Sequence, residues 1–232
     1  MAGSHVFEDE RLGVWITSTA SLADKLADRL PKLRAAVPAL TDAFLPRQAT
    51  LSNRQAVLQA GFLGAHMWWA VDGLDPASYA KRALADIERV RPGAGDLNIE
   101  LADDSRIEPY MRSVIGVIRA KRPSYRLRLN VAFRKGRFLP TDLLGSDPNL
   151  YVAEQNYIDQ PGRSMVPVSA ADALLDLLEH GIPMHKAAVC YGAAGPVGGR
   201  TGDERVVTLP AGSTIRRGVI FHDDLLADAG LI

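Results

Sequence analysis

The chain has 232 residues, with 27 Lys+Arg against 27 Asp+Glu, 47% hydrophobic residues and a single cysteine. A chain of this length buries about 70–75% of its unfolded surface, so a self-supporting core is expected. The zero net charge excludes the global attraction used by most nucleic-acid and anionic-membrane binders, and Cys190 alone excludes an internal disulfide framework.

The first twelve residues (MAGSHVFEDERL) lack an apolar run, so no secretory signal is visible and synthesis in the cytoplasm is expected. The longest apolar stretch, residues 56–71, is interrupted by Gln59 and His66. It is shorter than the roughly 20 residues a membrane span needs. Neither a membrane nor a nucleic acid is therefore expected as a partner.

In chain order, residues 13–17 (GVWIT) read as a first strand. Ser21 caps a helix carrying Leu22, Leu26, Leu30 and Leu33 at helical spacing, and Pro31 predicts a kink or a split in it. Residues 42–45 (DAFL) form a weak second strand, residues 52–60 a short helix closed by Gly61, and residues 62–71 a long buried strand. Asp75-Pro76 opens the next helix, which runs to Pro92-Gly93. Residues 96–101 (DLNIEL) are strand four. Asp104 or Ser105 then caps a helix with Ile107, Met111, Ile115 and Ile118 on one face. Residues 126–133 are strand five, and a Gly-, Pro- and Asp-rich loop runs to Leu150. Residues 151–158 are strand six, 169–180 an amphipathic helix closed by Gly181, and 186–191 strand seven. A glycine-rich excursion over 192–202 leads to strand eight, residues 218–221, and a short closing helix.

Eight strands alternating with helices predict a single α/β domain over residues 1–232, a somewhat irregular (β/α)8 barrel with residues 1–11 as an N-terminal extension. A doubly wound sheet is the rival, but the first turn reads TSTAS and holds no GxGxxG.

In such a barrel the chemistry lies at the C-terminal ends of the strands. There the sequence offers Trp68, Trp69 and Asp72 on strand three, Asn98 and Glu100 on one face of strand four, and Asn130 on strand five. Glu154, Gln155 and Tyr157 follow on strand six, Tyr191 on strand seven, and His222, Asp223 and Asp224 on strand eight. Aromatic rings that stack on sugars, amides that read hydroxyls and carboxyls that share acid and base roles are what a glycan site needs. A carboxylate facing a barrel interior has to be paired or functional, which singles out Glu100. Neighbours on a strand point opposite ways, so Gln155 and Tyr157 are read as inward in preference to Glu154. The same rule makes one of Trp68 and Trp69 a core residue and the other a sugar platform. Asp103 and Asp104 also read as helix caps, and His222 with its two aspartates as a strand end.

No GxSxG elbow, HExxH or paired-cysteine spacing appears, so neither a metal nor a cofactor is expected. The loop over 192–202, with Arg200, lies where many barrels bind phosphate but lacks the P-loop lysine and spacing.

The stretches GAHMWWAVDGLDPASYAKRALADI, DLNIELADD, RLRLNVAF, AEQNY and GVIFHDDLL, in that order, resemble the family-25 glycoside hydrolases, lysozyme-type muramidases, and related phage lysin barrels. The resemblance implies a barrel that engages bacterial cell-wall polysaccharide, with Glu100 as the general acid and Asp72 or Asp224 as its complementary carboxylate. Trp68 or Trp69, Asn98, Asn130, Gln155, Tyr157 and Tyr191 would contact sugar. Where the family carries an acid in the first strand this chain has Trp15, and its acidic pair reads Asn98-Ile99-Glu100. These departures leave open a catalytically silent barrel that serves as a glycan-binding or structural part of a phage virion or tail.

Overall fold

A computed structural model describes residues 11–17, 21–36, 38, 40–71, 73–99, 101, 103–131, 136–156 and 170–191. It also describes strand segments at 207–208, 214–215 and 218–220. Eight parallel strands close into a barrel: β1 (Leu12–Trp15), β2 (Asp42–Leu45), β3 (Gly64–Ala70), β4 (Gly95–Ile99), β5 (Leu127–Val131), β6 (Leu150–Asn156), β7 (Ala187–Tyr191) and β10 (Gly218–Ile220). Each pairs with its sequence neighbour, and β10 closes the ring by pairing with both β7 and β1. The fold is thus the (β/α)8 barrel that the alternation of elements predicts. A further pair, β8 (Val207–Thr208) and β9 (Thr214–Ile215), forms an antiparallel ribbon apart from the barrel.

The helices α1 (Leu22–Ala36), α2 (Leu51–Gln59), α3 (Pro76–Val90), α4 (Ile107–Lys121), α5 (Thr141–Ser146) and α6 (Ala170–Glu179) alternate with the strands. Helix α1 is not split at Pro31. Leu26, Leu30 and Leu33 lie on both sides of the proline and are all buried, so packing against the barrel holds both halves in one helix. The cap before α4 is neither Asp104 nor Ser105. Asp103 accepts from the Ser105 amide at 3.0 Å and opens a one-turn 3-10 segment that leads into the helix. The region expected as one loop before Leu150 contains α5, anchored by buried Leu144 and by Arg112 of α4, which donates to Asp142 at 3.0 Å.

Strand residues sort into two sets. Val14, Ile16, Ala43, Leu45, Met67, Trp69, Leu97, Ile99, Leu129, Val131 and Val152 join the helices in the main apolar core. The alternate residues meet one another inside the ring. Trp15 of β1 bonds Asp96 of β4, and Asn98 of β4 bonds Gln155 of β6, although neither strand pair is adjacent in the sheet. Such contacts can only cross the barrel interior.

Candidate active site

Asp96, fully buried, sits at the centre of the interior. Its Oδ2 accepts from the Trp15 indole at 2.6 Å and from Arg128 Nη2 at 2.6 Å. Its Oδ1 accepts from Arg128 Nε at 3.3 Å and from Asn130 Nδ2 at 3.0 Å. Three side chains, one from β1 and two from β5, thus converge on one carboxylate of β4, and Arg128 supplies the charge that makes burying it tolerable. The Arg128 guanidinium also lies 5.0 Å from the centre of the Phe44 ring of β2. This arrangement leaves the lone pairs of Asp96 taken.

One step further along β4 towards its C-terminal end, Asn98 accepts a 2.6 Å bond from Gln155 Nε2. Both side chains are buried, and Asn98 stands beside Asn130 in the β4–β5 register. Asn130 is fully buried and gives its amide N–H to Asp96, while its Oδ1 has no hydrogen-bond partner. Gln155 therefore faces the interior. Glu154 shares the side of Val152, in register with Val131 of the outer core, and is fully buried.

The two tryptophans at the end of β3 divide. Trp69 turns to the helices and donates its indole to Asp86 of α3 at 3.1 Å. Trp68 remains half-buried, stacks on Trp15 with ring centres 5.1 Å apart and planes 6° apart, and donates to the carbonyl of Ile16 at 3.0 Å. Strand alternation alone separates this pair, but only the partners on neighbouring elements show which ring goes inside.

At the opposite, N-terminal end of the ring lies a second polar layer. Asp42 accepts from Arg11 Nε at 2.8 Å, from the Thr41 hydroxyl at 2.6 Å, and meets His66 Nε2 at 2.8 Å. Burial alone would raise the Asp42 pKa, yet the bonds from His66 and Arg11 outweigh it and hold the carboxyl below its ordinary value. Burial pushes the His66 pKa down, against the pull of Asp42. Gly64 beside them has no room for a side chain, since a Cβ there would collide with His66 and Asp42.

Of the residues singled out from sequence, Asn98, Asn130, Gln155 and Trp68 are brought to the interior and its mouth, and Trp69 is placed against α3. Tyr191 is the last residue of β7. Glu100, Asp72, Tyr157 and Asp224, with the loop over 192–202, lie outside the described residues. The sequence reading passed over Asp96 and Arg128, and met Trp15 only as the residue standing where the related family carries an acid. The signal available was parity: Asp96 is two before Asn98, and Arg128 two before Asn130, so each shares a strand face with a residue already singled out. Among the described residues no group of three or more His, Cys, Asp or Glu could hold a metal ion. No helix among them is long and apolar enough to cross a membrane.

No protein-family model and no curated protein matches the chain. Solved structures do. A family 18 chitinase from Cycas revoluta in complex with allosamidin matches with a TM-score of 0.61 and 12% identity, covering 95% of this chain and 97% of that one. The chitinase-like agglutinin of Robinia pseudoacacia matches at 0.57 and 14%, covering 79% and 69%. A homocysteine methyltransferase from Escherichia coli matches at 0.55 and 14%, covering 95% and 93%. At these identities the likeness shows the architecture alone: the chain is an α/β barrel of the form seen in chitinases and other barrel enzymes.

Proposed function

We propose that the C-terminal mouth of the barrel binds a polysaccharide of N-acetylated sugars, such as a bacterial cell-wall glycan, and hydrolyses it with Glu100 as general acid. The observation that carries this reading is the joined amide pair Asn98–Gln155, set above the Asp96 cluster at the C-terminal ends of β4 and β6. Half-buried Trp68 lies at the same face of the ring. Fixed amides suit hydroxyl and acetamido groups, and a fixed indole suits a sugar face. The chitinase and lectin-like barrels among the structural neighbours support this substrate class, and that support points to family 18 forms more than to the family-25 muramidases. Tyr157 and Tyr191 are assigned to sugar contact on the same reading.

Charge distribution shapes the chemistry. Asn98 is neutral and Asp96 is held by Arg128, so neither offers a negative charge to an oxocarbenium-like transition state. Asp72 or Asp224 would then supply the second carboxylate, or the acetamido oxygen of the substrate would take that role, as in substrate-assisted glycosidases. Carboxyl separations of about 5–5.5 Å or about 6.5–9.5 Å would distinguish retention from inversion only in the first case.

The neutral Asn98 favours a second reading, a barrel that binds glycan without cutting it and serves as part of a phage particle. One experiment separates the two. Purified peptidoglycan and chitin are incubated with the protein and with Glu100→Gln, following turbidity and reducing ends. Clearing by the parent that drops by at least 100-fold in the variant supports hydrolysis, as loss of a general acid is worth about 10²–10⁴ in rate. Co-sedimentation without clearing supports the silent barrel, and neither binding nor clearing refutes both.

A further inference from the structure

Beside the mouth, at the C-terminal ends of β1, β2 and β3, is a pocket of about 210 Å³ that the proposed chemistry does not use. It is bounded by Trp68, Trp69 and Ala70 of β3, by the turn after β2, and by α3. Most of its lining is apolar.

The polar atoms of its walls are engaged elsewhere. Trp68 gives its indole N–H to the carbonyl of Ile16, and Trp69 gives its own to Asp86. The Tyr79 hydroxyl donates to the Trp69 carbonyl at 2.8 Å, and the Thr17 hydroxyl accepts from Lys25. Arg47 and Arg82 have partners of their own. Gln48 differs, because its side chain is exposed at the rim and can exchange water for a ligand group. The walls are also preformed. The Ala49 amide donates to the Pro46 carbonyl at 2.9 Å and closes the turn after β2. Arg89 of α3 donates to the carbonyls of Ala49 and, at 2.8 Å, of Arg47, which ties that turn to the helix. Trp68 is held by its stack on Trp15.

These features select a ligand class. A sugar ring would bury hydroxyls against walls whose polar atoms are already taken, at a cost in lost hydration. A cationic ring would meet two guanidinium groups. A neutral aromatic ring meets neither cost, and it gains ring-to-ring contact with the Trp68, Trp69 and Tyr79 walls that a saturated ring lacks. A dry cavity of about 150 Å³ holds benzene, so the 210 Å³ here has room for one ring or a fused pair.

We propose that this pocket binds a neutral aromatic group of one or two fused rings, with a hydroxyl on its edge reaching the Gln48 amide. The ring is either a free small molecule or an aryl group carried on a sugar held at the mouth. Two matched pairs of probes separate these sources. One is 2-naphthol against decahydro-2-naphthol, and the other is 4-hydroxyphenyl against 4-hydroxycyclohexyl N-acetyl-β-D-glucosaminide. Binding is read by calorimetry and saturation-transfer NMR, on the parent chain and on two variants. Ala70→Phe, at an exposed position of the lining, fills the pocket without removing a hydrogen bond, and Gln48→Ala removes the rim amide.

In at least one pair the aromatic member is expected to bind about threefold or more tightly than its saturated partner. Ala70→Phe should abolish that binding with the thermal midpoint unchanged, and Gln48→Ala should weaken it about threefold. A preference shown by the free ring identifies a small molecule, and one shown only by the glycoside identifies an aglycone. Equal binding within both pairs, or no binding in either, overturns the inference. So does unchanged affinity in either variant, which keeps the test decisive if Ala70→Phe fails to fold. None of these results alters the clearing of peptidoglycan or chitin, so the glycan reading stands or falls separately.

Discussion

Among the described strand residues, two buried carboxylates, Asp42 and Asp96, each lie beside an arginine at different heights of the ring. Asp42, near the N-terminal end, is held by Arg11, Thr41 and His66, and the side chain of Arg11 keeps 9% exposure. Asp96, closer to the mouth, is held by Trp15, Arg128 and Asn130 with no exposure at all. The lower cluster joins adjacent strands β2 and β3 and the residue before β1. The upper one reaches across the lumen to β1. The lower layer therefore ties neighbouring strands together at the foot of the ring, whereas the upper one spans the lumen beneath the mouth. Equal chemistry at two heights serves two purposes, and burial alone does not distinguish them.

The sharpest way to break this comparison is Asp96→Ala. It strands the Arg128 guanidinium in the interior, and losing one partner of a buried pair costs about 3–5 kcal/mol. Urea titration should show the loss as a lower midpoint at constant slope; a cost under about 1 kcal/mol would mean that the upper layer does not brace the lumen. Gly64→Ala is the matching probe below, where the added methyl overpacks His66 and Asp42 and should cost about 1–3 kcal/mol. It should leave glycan binding at the mouth unchanged. A variant that folds well yet loses glycan would erase the distinction between the layers.

Gln155→Ala removes a single bond to Asn98 and should cost about 0.5–1.5 kcal/mol of stability. Its larger effect is expected on affinity, a drop of about tenfold for chito-oligosaccharides, measurable by calorimetry. Unchanged affinity would take the amide pair out of the site.

The smallest effect sharpens the lower layer through pH. Burial holds the His66 pKa below its ordinary value of 6.5, so between the two values the unfolded chain binds a proton that the folded one refuses. Stability is then full above about pH 6.5 and declines as pH falls through that value towards the folded pKa. Asp42, held below its ordinary 3.8, contributes stability that is present above that value and lost as pH drops beneath it, a second loss of the same sign. Melting curves of His66→Gln should be flatter between about pH 7 and 5 than those of the parent. Identical slopes would show that His66 contributes nothing to the acid limb.

The fold was legible because parallel strands in a barrel are apolar on their outer face and are separated by helices with clear caps, such as Asp75-Pro76. At Pro31 the helix runs on unsplit, because three buried leucines hold both halves to the barrel, and the same logic failed at residues 141–146, where a six-residue helix is too short to show a period. For the site, parity placed Asn98 correctly beside the interior but could not reveal that its oxygen meets Gln155, because that contact skips a strand. The Asp96 cluster was hidden for the same reason. Trp15, Arg128 and Asn130 are dispersed over more than a hundred positions of chain, and only closure of the ring brings them to one carboxylate.

The bond from Trp15 to Asp96 also decides how a polymer can approach. Indole, guanidinium and carboxylate together plug the lumen beneath the mouth, so no strand of sugar can thread through the ring or descend along its axis. If the proposed glycan binds here, it has to lie across the rim as a rope lies over a capstan, which leaves its two ends irrelevant and makes any internal unit as accessible as a terminal one.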